Sequence, residues 1–153
     1  MKIIPNYCRV MRIMREIPPD YLTAGILRID LRKDIDEKLK NSKTKINEIR
    51  FREIGFELRD NLNRKINRDI KLKITKYNAS NGDEYFLEMV NKDNILFGLC
   101  RLRIVDKNAF LRELHVYGQS LPLKGKLKLK KPQVSSAQHK GLGKQLMKEA
   151  EEL

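Results

Sequence analysis

Apolar and polar positions alternate most clearly from residue 70 onward. Ile70, Leu72 and Ile74 stand against Lys71, Lys73 and Thr75, a period of two that predicts a strand over 70–79. Asn81–Gly82 marks a turn, and three further strands follow at about 84–91, 95–105 and 109–117, with Asp93–Asn94 and Lys107–Asn108 in the turns joining them. In the last of these, Phe110, Glu113, His115 and Tyr117 do not keep one phase with Leu111, Leu114 and Val116, which predicts a bulge. Upstream, Ile49 and Phe51, then Ile54, Phe56 and Leu58, alternate with Arg50, Arg52 and Glu57. The phase slips at Glu53–Ile54, so 46–60 reads as a strand with a bulge, or one ending near Gly55. The period then changes. Leu142, Leu146, Met147, Ala150 and Leu153 recur at helical intervals, with Lys144, Lys148, Glu149, Glu151 and Glu152 opposite.

The front of the chain is less regular. Val10, Ile13, Met14 and Ile17 have helical spacing beside Arg9, Arg12 and Arg15, and Pro18–Pro19 end any such helix. A short polar helix is predicted over Asp34–Lys40 and a loop over 41–45. About five mostly antiparallel strands followed by a helix give an α+β class, not a doubly wound parallel sheet.

The chain has 153 residues, enough for one domain or a domain with an appendage. Net charge changes the picture: it is +13, with twenty basic against eleven acidic residues in 1–77 and thirteen against nine in 78–153. Such an excess favours a nucleic acid or a polyanionic cofactor over a neutral substrate; the plain alternative is a lysine-rich, heat-tolerant surface. The arginine stripe Arg9, Arg12 and Arg15, with Arg50 and Arg52, is a candidate contact for RNA phosphates, or a solvated face. The five lysines of Lys124–Lys131 read as a solvent-facing hairpin or loop, or as an RNA contact. Cys8 and Cys100 lack Cys-x-x-Cys spacing, so no metal ligand set is read and both are expected to be reduced. With no apolar run of membrane length and no signal-peptide core, the expected location is the cytoplasm, without a membrane partner.

The candidate chemistry lies at the start of the last helix. Gln138, Gly141 and Gly143 have the spacing Q-x-x-G-x-G. Glycines let backbone approach a ligand, and the first-turn N–H groups of a helix have no intrahelical partner and suit a phosphate. Gln138, His139 and Lys140 add side-chain donors. The plain alternative is a helix end with a flexible turn. The spacing differs from a dinucleotide G-x-G-x-x-G, and Gly143–Lys144–Gln145 lacks the hydroxyl of a P-loop.

REIGFEL at 52–58, RLR at 101–103, RELHVYG at 112–118 and AQHKGLGKQLMKEAE at 137–151 resemble the catalytic subunit of the Elongator complex. The basic stretch at 5–33 resembles the segment that follows that family's radical-SAM domain. The resemblance implies two parts: 1–77 as a basic linker or docking segment, and 78–153 as part of a GCN5-related N-acetyltransferase (GNAT) fold, an antiparallel sheet followed by strand, pyrophosphate loop and helix. It implies acetyl-CoA as cofactor and a role in modifying the 5-position of the tRNA wobble uridine, with tRNA-stimulated acetyl-CoA hydrolysis. The pantetheine arm would add like a strand beside Glu113, Leu114, His115 and Val116. The pyrophosphate would meet N–H groups of Gln138, His139, Lys140, Gly141, Leu142, Gly143 and Lys144.

Glu113 and His115 are the acid and imidazole nearest the proposed acetyl group, so either is a conceivable base. Equally, Glu113 can pair with Arg101 or Arg103 while His115 packs beside the cofactor. Two departures from the family stand out. The chain carries no radical-SAM cysteine triad, so an iron–sulfur cluster and S-adenosylmethionine belong only to the full-length family. It also stops within the helix, so a fragment completed by the radical-SAM and C-terminal GNAT parts of its own enzyme is expected, or a homo-oligomer, with an exposed apolar sheet edge. Two other readings remain: a non-catalytic tRNA-binding or subunit-docking module, and a lysine acetyltransferase.

Overall fold

A computed structural model of the chain describes residues 1–15, 17–25, 31–42, 44–59, 64–118 and 141–153. It is a mixed α+β protein that divides into two compact units, Met1–Arg50 and Phe51–Leu153. The boundary expected at 77/78 falls inside a strand that pairs with its neighbour along its whole length, and the units divide at Arg50/Phe51 instead.

In the first unit, α1 spans Leu31–Asn41 and includes the predicted polar helix. Residues 9–15, expected to be helical, are not. Side chains take the backbone groups a helix would use: Glu48 Oε1 accepts the Val10 N–H at 2.7 Å, and Arg32 Nη1 donates to the Val10 carbonyl at 2.8 Å. Arg32 also pairs with Asp36 at 2.7 Å and lies 3.6 Å from Glu48. Both carboxylates are buried, so this polar cluster stands where an apolar core would be expected. Ahead of α1 a 3₁₀ turn, Pro19–Tyr21, has the prolines at its start.

The strand predicted over 46–60 is two short helices, α2 (Ile49–Arg52), which spans the division between units, and α3 (Ile54–Leu58). Ile49 and Phe56, like Phe51, Ile54 and Leu58, recur at helical intervals as well as in alternation, so this short window satisfies both periods. The phase slip marks the break between helices: Glu53, between them, forms an isolated parallel bridge with Leu96. The strand count is therefore four among the described residues.

Those strands, β1 (Lys71–Ala79), β2 (Gly82–Val90), β3 (Leu96–Val105) and β4 (Asn108–Val116), form one antiparallel sheet in the order β1-β2-β3-β4. The β1–β2 and β3–β4 hairpins turn on residue pairs with positive φ, Ser80–Asn81 and Asp106–Lys107, whose twist matches that of the strands. Between β2 and β3, Asn91 Oδ1 accepts the N–H groups of Asp93 and Ile95 at 3.0 and 2.9 Å, and Asn94 takes a left-handed φ of 63°. Helix α4 (Leu142–Glu151) packs against β2, β3 and β4 and buries Leu146 and Ala150. Gly98 admits it: a Cβ there would come 3.3 Å from Leu146 Cδ1 and 3.1 Å from the His115 carbonyl.

Candidate cofactor-binding site

Register assigns the two faces of β4. Val116 stands opposite Gly98 and Leu114 opposite Cys100, on the α4 side. His115 stands opposite Leu99 and Glu113 opposite Arg101, on the other. The register then shifts, Leu111 pairing with Leu102, so Arg112 is the extra residue of a bulge. This is the irregularity read from the sequence. The bulge places Ala109, Leu111, Leu114 and Val116 on one face, which strict alternation would not allow.

β4 pairs with β3 along one side only, and no strand pairs with its other side among the described residues. Its free side therefore presents main-chain donors and acceptors. Every residue from Asn108 to His115 is exposed, including Phe110, Leu111 and Leu114. Beyond it, the Tyr117 N–H donates to the Phe97 carbonyl at 2.8 Å, and Gly118 takes a φ of 140° that glycine adopts without strain.

The N-terminus of α4 lies against the end of β4. A Cβ on Gly143, in the first turn, would sit 3.6 Å from Val116 Cγ2. Gly141 is the N-cap with φ 81° and ψ 0°, left-handed, and no side chain caps the helix among the described residues. Its carbonyl accepts the Gln145 N–H at 3.0 Å, but the first-turn N–H groups have no intrahelical acceptor. A Cβ on Gly141 would meet nothing within 4 Å among the described residues. Lys144 is exposed beside it. The structure thus sets the Val116 end of Glu113–Val116 against Gly143 in the first turn of α4. Gln138, His139 and Lys140 lie outside the described residues, as do the lysines of 124–131.

Arg101 Nε pairs with Glu113 Oε2 at 2.8 Å, and Arg101 also lies over the Phe86 ring, 5.1 Å from its centroid. Glu113 is therefore engaged by a cation, the alternative to a base role. His115 is exposed and lies against Tyr117, with ring centroids 4.4 Å apart. Burial pushes the Cys100 thiol up, which keeps it protonated and unsuited to nucleophilic work. Among the described residues no group of His, Cys, Asp and Glu could hold a metal, and no helix is long and apolar enough to cross a membrane.

The RNA candidates separate. Arg9, Arg12 and Arg15 are exposed, and Arg50 is partly exposed 4.0 Å from Asp36. Arg52 is buried, pairs with Glu88 at 2.6 Å and donates to Asn94 Oδ1 at 3.2 Å, so its charge is spent inside the fold. Two acidic residues not singled out from the sequence, Glu84 and Glu88, are both buried on the face of β2 opposite α4. Glu84 Oε1 accepts from Arg103 at 2.7 Å and Arg112 at 2.8 Å; Glu88 binds Arg52 and, at 3.1 Å, Lys73. The available signal was Gly82: a Cβ there would lie 2.9 Å from Arg103 Nη2, so the glycine makes room for the guanidinium.

No family model matches the chain. It is 35% identical over 97% of its length to a tRNA uridine(34) acetyltransferase of Dehalococcoides mccartyi, spanning 33% of that protein. It is 33% and 32% identical, over its whole length, to Elongator complex protein 3 of Dictyostelium discoideum and of Saccharomyces cerevisiae, spanning 28% of each. The solved structure of the archaeal Methanocaldococcus infernus Elp3 with an N-terminal deletion matches with a TM-score of 0.76 and 32% identity, covering 98% of this chain and 36% of that one. The chain thus spans about a third of the length of the relatives it matches. With this agreement of sequence and fold along its whole length, the chain belongs, as a segment, to the Elongator complex protein 3 family.

Proposed function

We propose that this chain forms an acetyl-CoA-binding part of an Elongator-type enzyme that modifies the wobble uridine of tRNA, built on the front of a GNAT fold. One observation carries the reading: a bulged strand, with no strand on its outer side among the described residues, ends against the glycine-opened N-terminus of α4. Main-chain groups of Glu113–Val116 would pair with the amides of the pantetheine arm, as in strand addition. The N–H groups of Leu142, Gly143 and Lys144, with the helix dipole behind them, would hold the pyrophosphate. Bound there, acetyl-CoA supplies an activated acetyl thioester. Arg101 keeps the Glu113 carboxylate paired, so main-chain hydrogen bonding would dominate cofactor binding.

Substituting Gly143→Asp tests this. Asp is well placed in a helix first turn, so the fold should survive, while its charge faces the pyrophosphate. Acetyl-CoA binding measured by calorimetry should weaken at least about tenfold, about 1.4 kcal/mol. Unchanged affinity would exclude this helix end as the pyrophosphate site.

A second contribution is tRNA contact by the exposed Arg9, Arg12 and Arg15. Replacing all three with Gln should flatten the salt dependence of tRNA binding by about three phosphate contacts. An unaltered slope would remove these residues from the interface.

A further inference from the structure

Arg112 is the residue that the β3–β4 register skips, and a bulge places it on the same face as Glu113. From there its guanidinium reaches Glu84 Oε1 at 2.8 Å, across β3 to β2. Arg103, on the intervening strand, binds the same oxygen at 2.7 Å and also donates to the carbonyls of Ala79 and Ser80 at 2.9 and 2.8 Å. The bulge is thereby tied through one carboxylate to the β1–β2 turn. Glu84 is 1% exposed, whereas the Arg112 side chain is 55% exposed. Glu84 Oε2 is buried and, among the described residues, has no hydrogen-bond partner, while its first oxygen holds both guanidinium groups. A buried carboxylate needs compensation, and two guanidinium groups supply it.

We propose that Glu84 is a positioning residue for the cofactor edge: by holding Arg112 it fixes the bulge and so the direction of the free main-chain groups of Glu113–Val116. This rests on β4 being the pantetheine edge. If Arg112 is released, the bulge can migrate along β4, and the edge hydrogen bonds lose their register.

The test uses Arg112→Ala in the 153-residue chain, where Glu84 keeps Arg103 and the exposed site tolerates truncation. Two ligands are titrated: acetyl-CoA, and adenosine 3′-phosphate 5′-diphosphate, which has the pyrophosphate without the pantetheine arm. Acetyl-CoA affinity should fall about tenfold while the fragment stays within about twofold, a loss confined to edge hydrogen bonds. Amide exchange at 113–116 should speed up, Arg112→Lys should recover part of both effects, and Glu84→Gln should reproduce the faster exchange. Equal losses for both ligands, or unchanged acetyl-CoA affinity, would overturn the proposal. If the unsubstituted chain binds neither ligand, the cofactor reading fails by itself. Exchange at 113–116 then still decides the clamp: faster in Arg112→Ala supports it, and unchanged overturns it.

Discussion

The two edges of the sheet are built in opposite ways. β1 is regular, pairs with β2 along its whole length and carries Lys71, Lys73 and Lys76. Lysines along an edge discourage a further strand from pairing there. β4 is bulged, exposes Phe110, Leu111 and Leu114, and has no strand on its other side among the described residues. Both edges are anchored to buried glutamates of β2, β1 through Lys73 on Glu88 and β4 through Arg112 on Glu84. Similar anchors therefore serve two ends of different kind: one closes the sheet, and the other leaves it ready to receive a strand-like group.

The largest effect should come from breaking the Glu88 anchor. Arg52→Ala removes a buried partner of a buried carboxylate, so urea unfolding should show a loss of about 3 kcal/mol. A change below about 1 kcal/mol would mean that this network contributes little to the second unit. A smaller effect should follow from exchanging the edges' chemistry. Leu111→Lys gives β4 the protection β1 has and should reduce concentration-dependent self-association in sedimentation, whereas Lys71→Leu should increase it. A chain that stays monomeric at every concentration, before and after both changes, would show that neither edge is adhesive.

The smallest effect concerns the β1–β2 hairpin. Lys76 pairs with Asp83 at 2.7 Å; this hydrogen bond holds the Asp83 carboxyl below its ordinary 3.8 and the Lys76 ammonium above its ordinary 10.5. The pair's contribution is therefore full between those values. It is lost in acid as pH falls below 3.8 through the folded carboxyl pKa, and in base as pH rises above 10.5 through the folded ammonium pKa. Asp83→Asn should flatten stability at the acid end only slightly, because the pair is exposed. A steep acid dependence that disappears in this variant would contradict that.

How much of this could be read from residues alone differs by region. Strand β1 was legible from its period of two and β2 to β4 from the turn residues at 81–82, 93–94 and 107–108 that bracket them, and the bulge was legible from the slip between Leu111 and Leu114. Residues 46–60 were not, because ten residues with apolar positions at 49, 51, 54, 56 and 58 satisfy the helical period as well. Val10 to Arg15 failed for another reason: Glu48, thirty-eight positions from Val10, takes its N–H, and no local pattern carries that information. Nothing local in the sequence marks Glu84 and Glu88 as buried. They are buried because Arg103 and Arg112, nineteen and twenty-eight positions from Glu84, and Arg52, from another element, reach them. In the candidate site, the glycine helix start and β4 were legible individually, and their contact through Val116 and Gly143 came from the fold.

The most direct test is a titration of the isotopically labelled 153-residue chain with acetyl-CoA, followed amide by amide by NMR. Saturable shifts should gather at Glu113–Val116 and at Gly141–Lys144, with Lys71–Ala79 unchanged. Absence of saturable binding, or shifts that favour β1 over β4, would contradict the assignment of the bulged edge and the α4 N-terminus as the cofactor site.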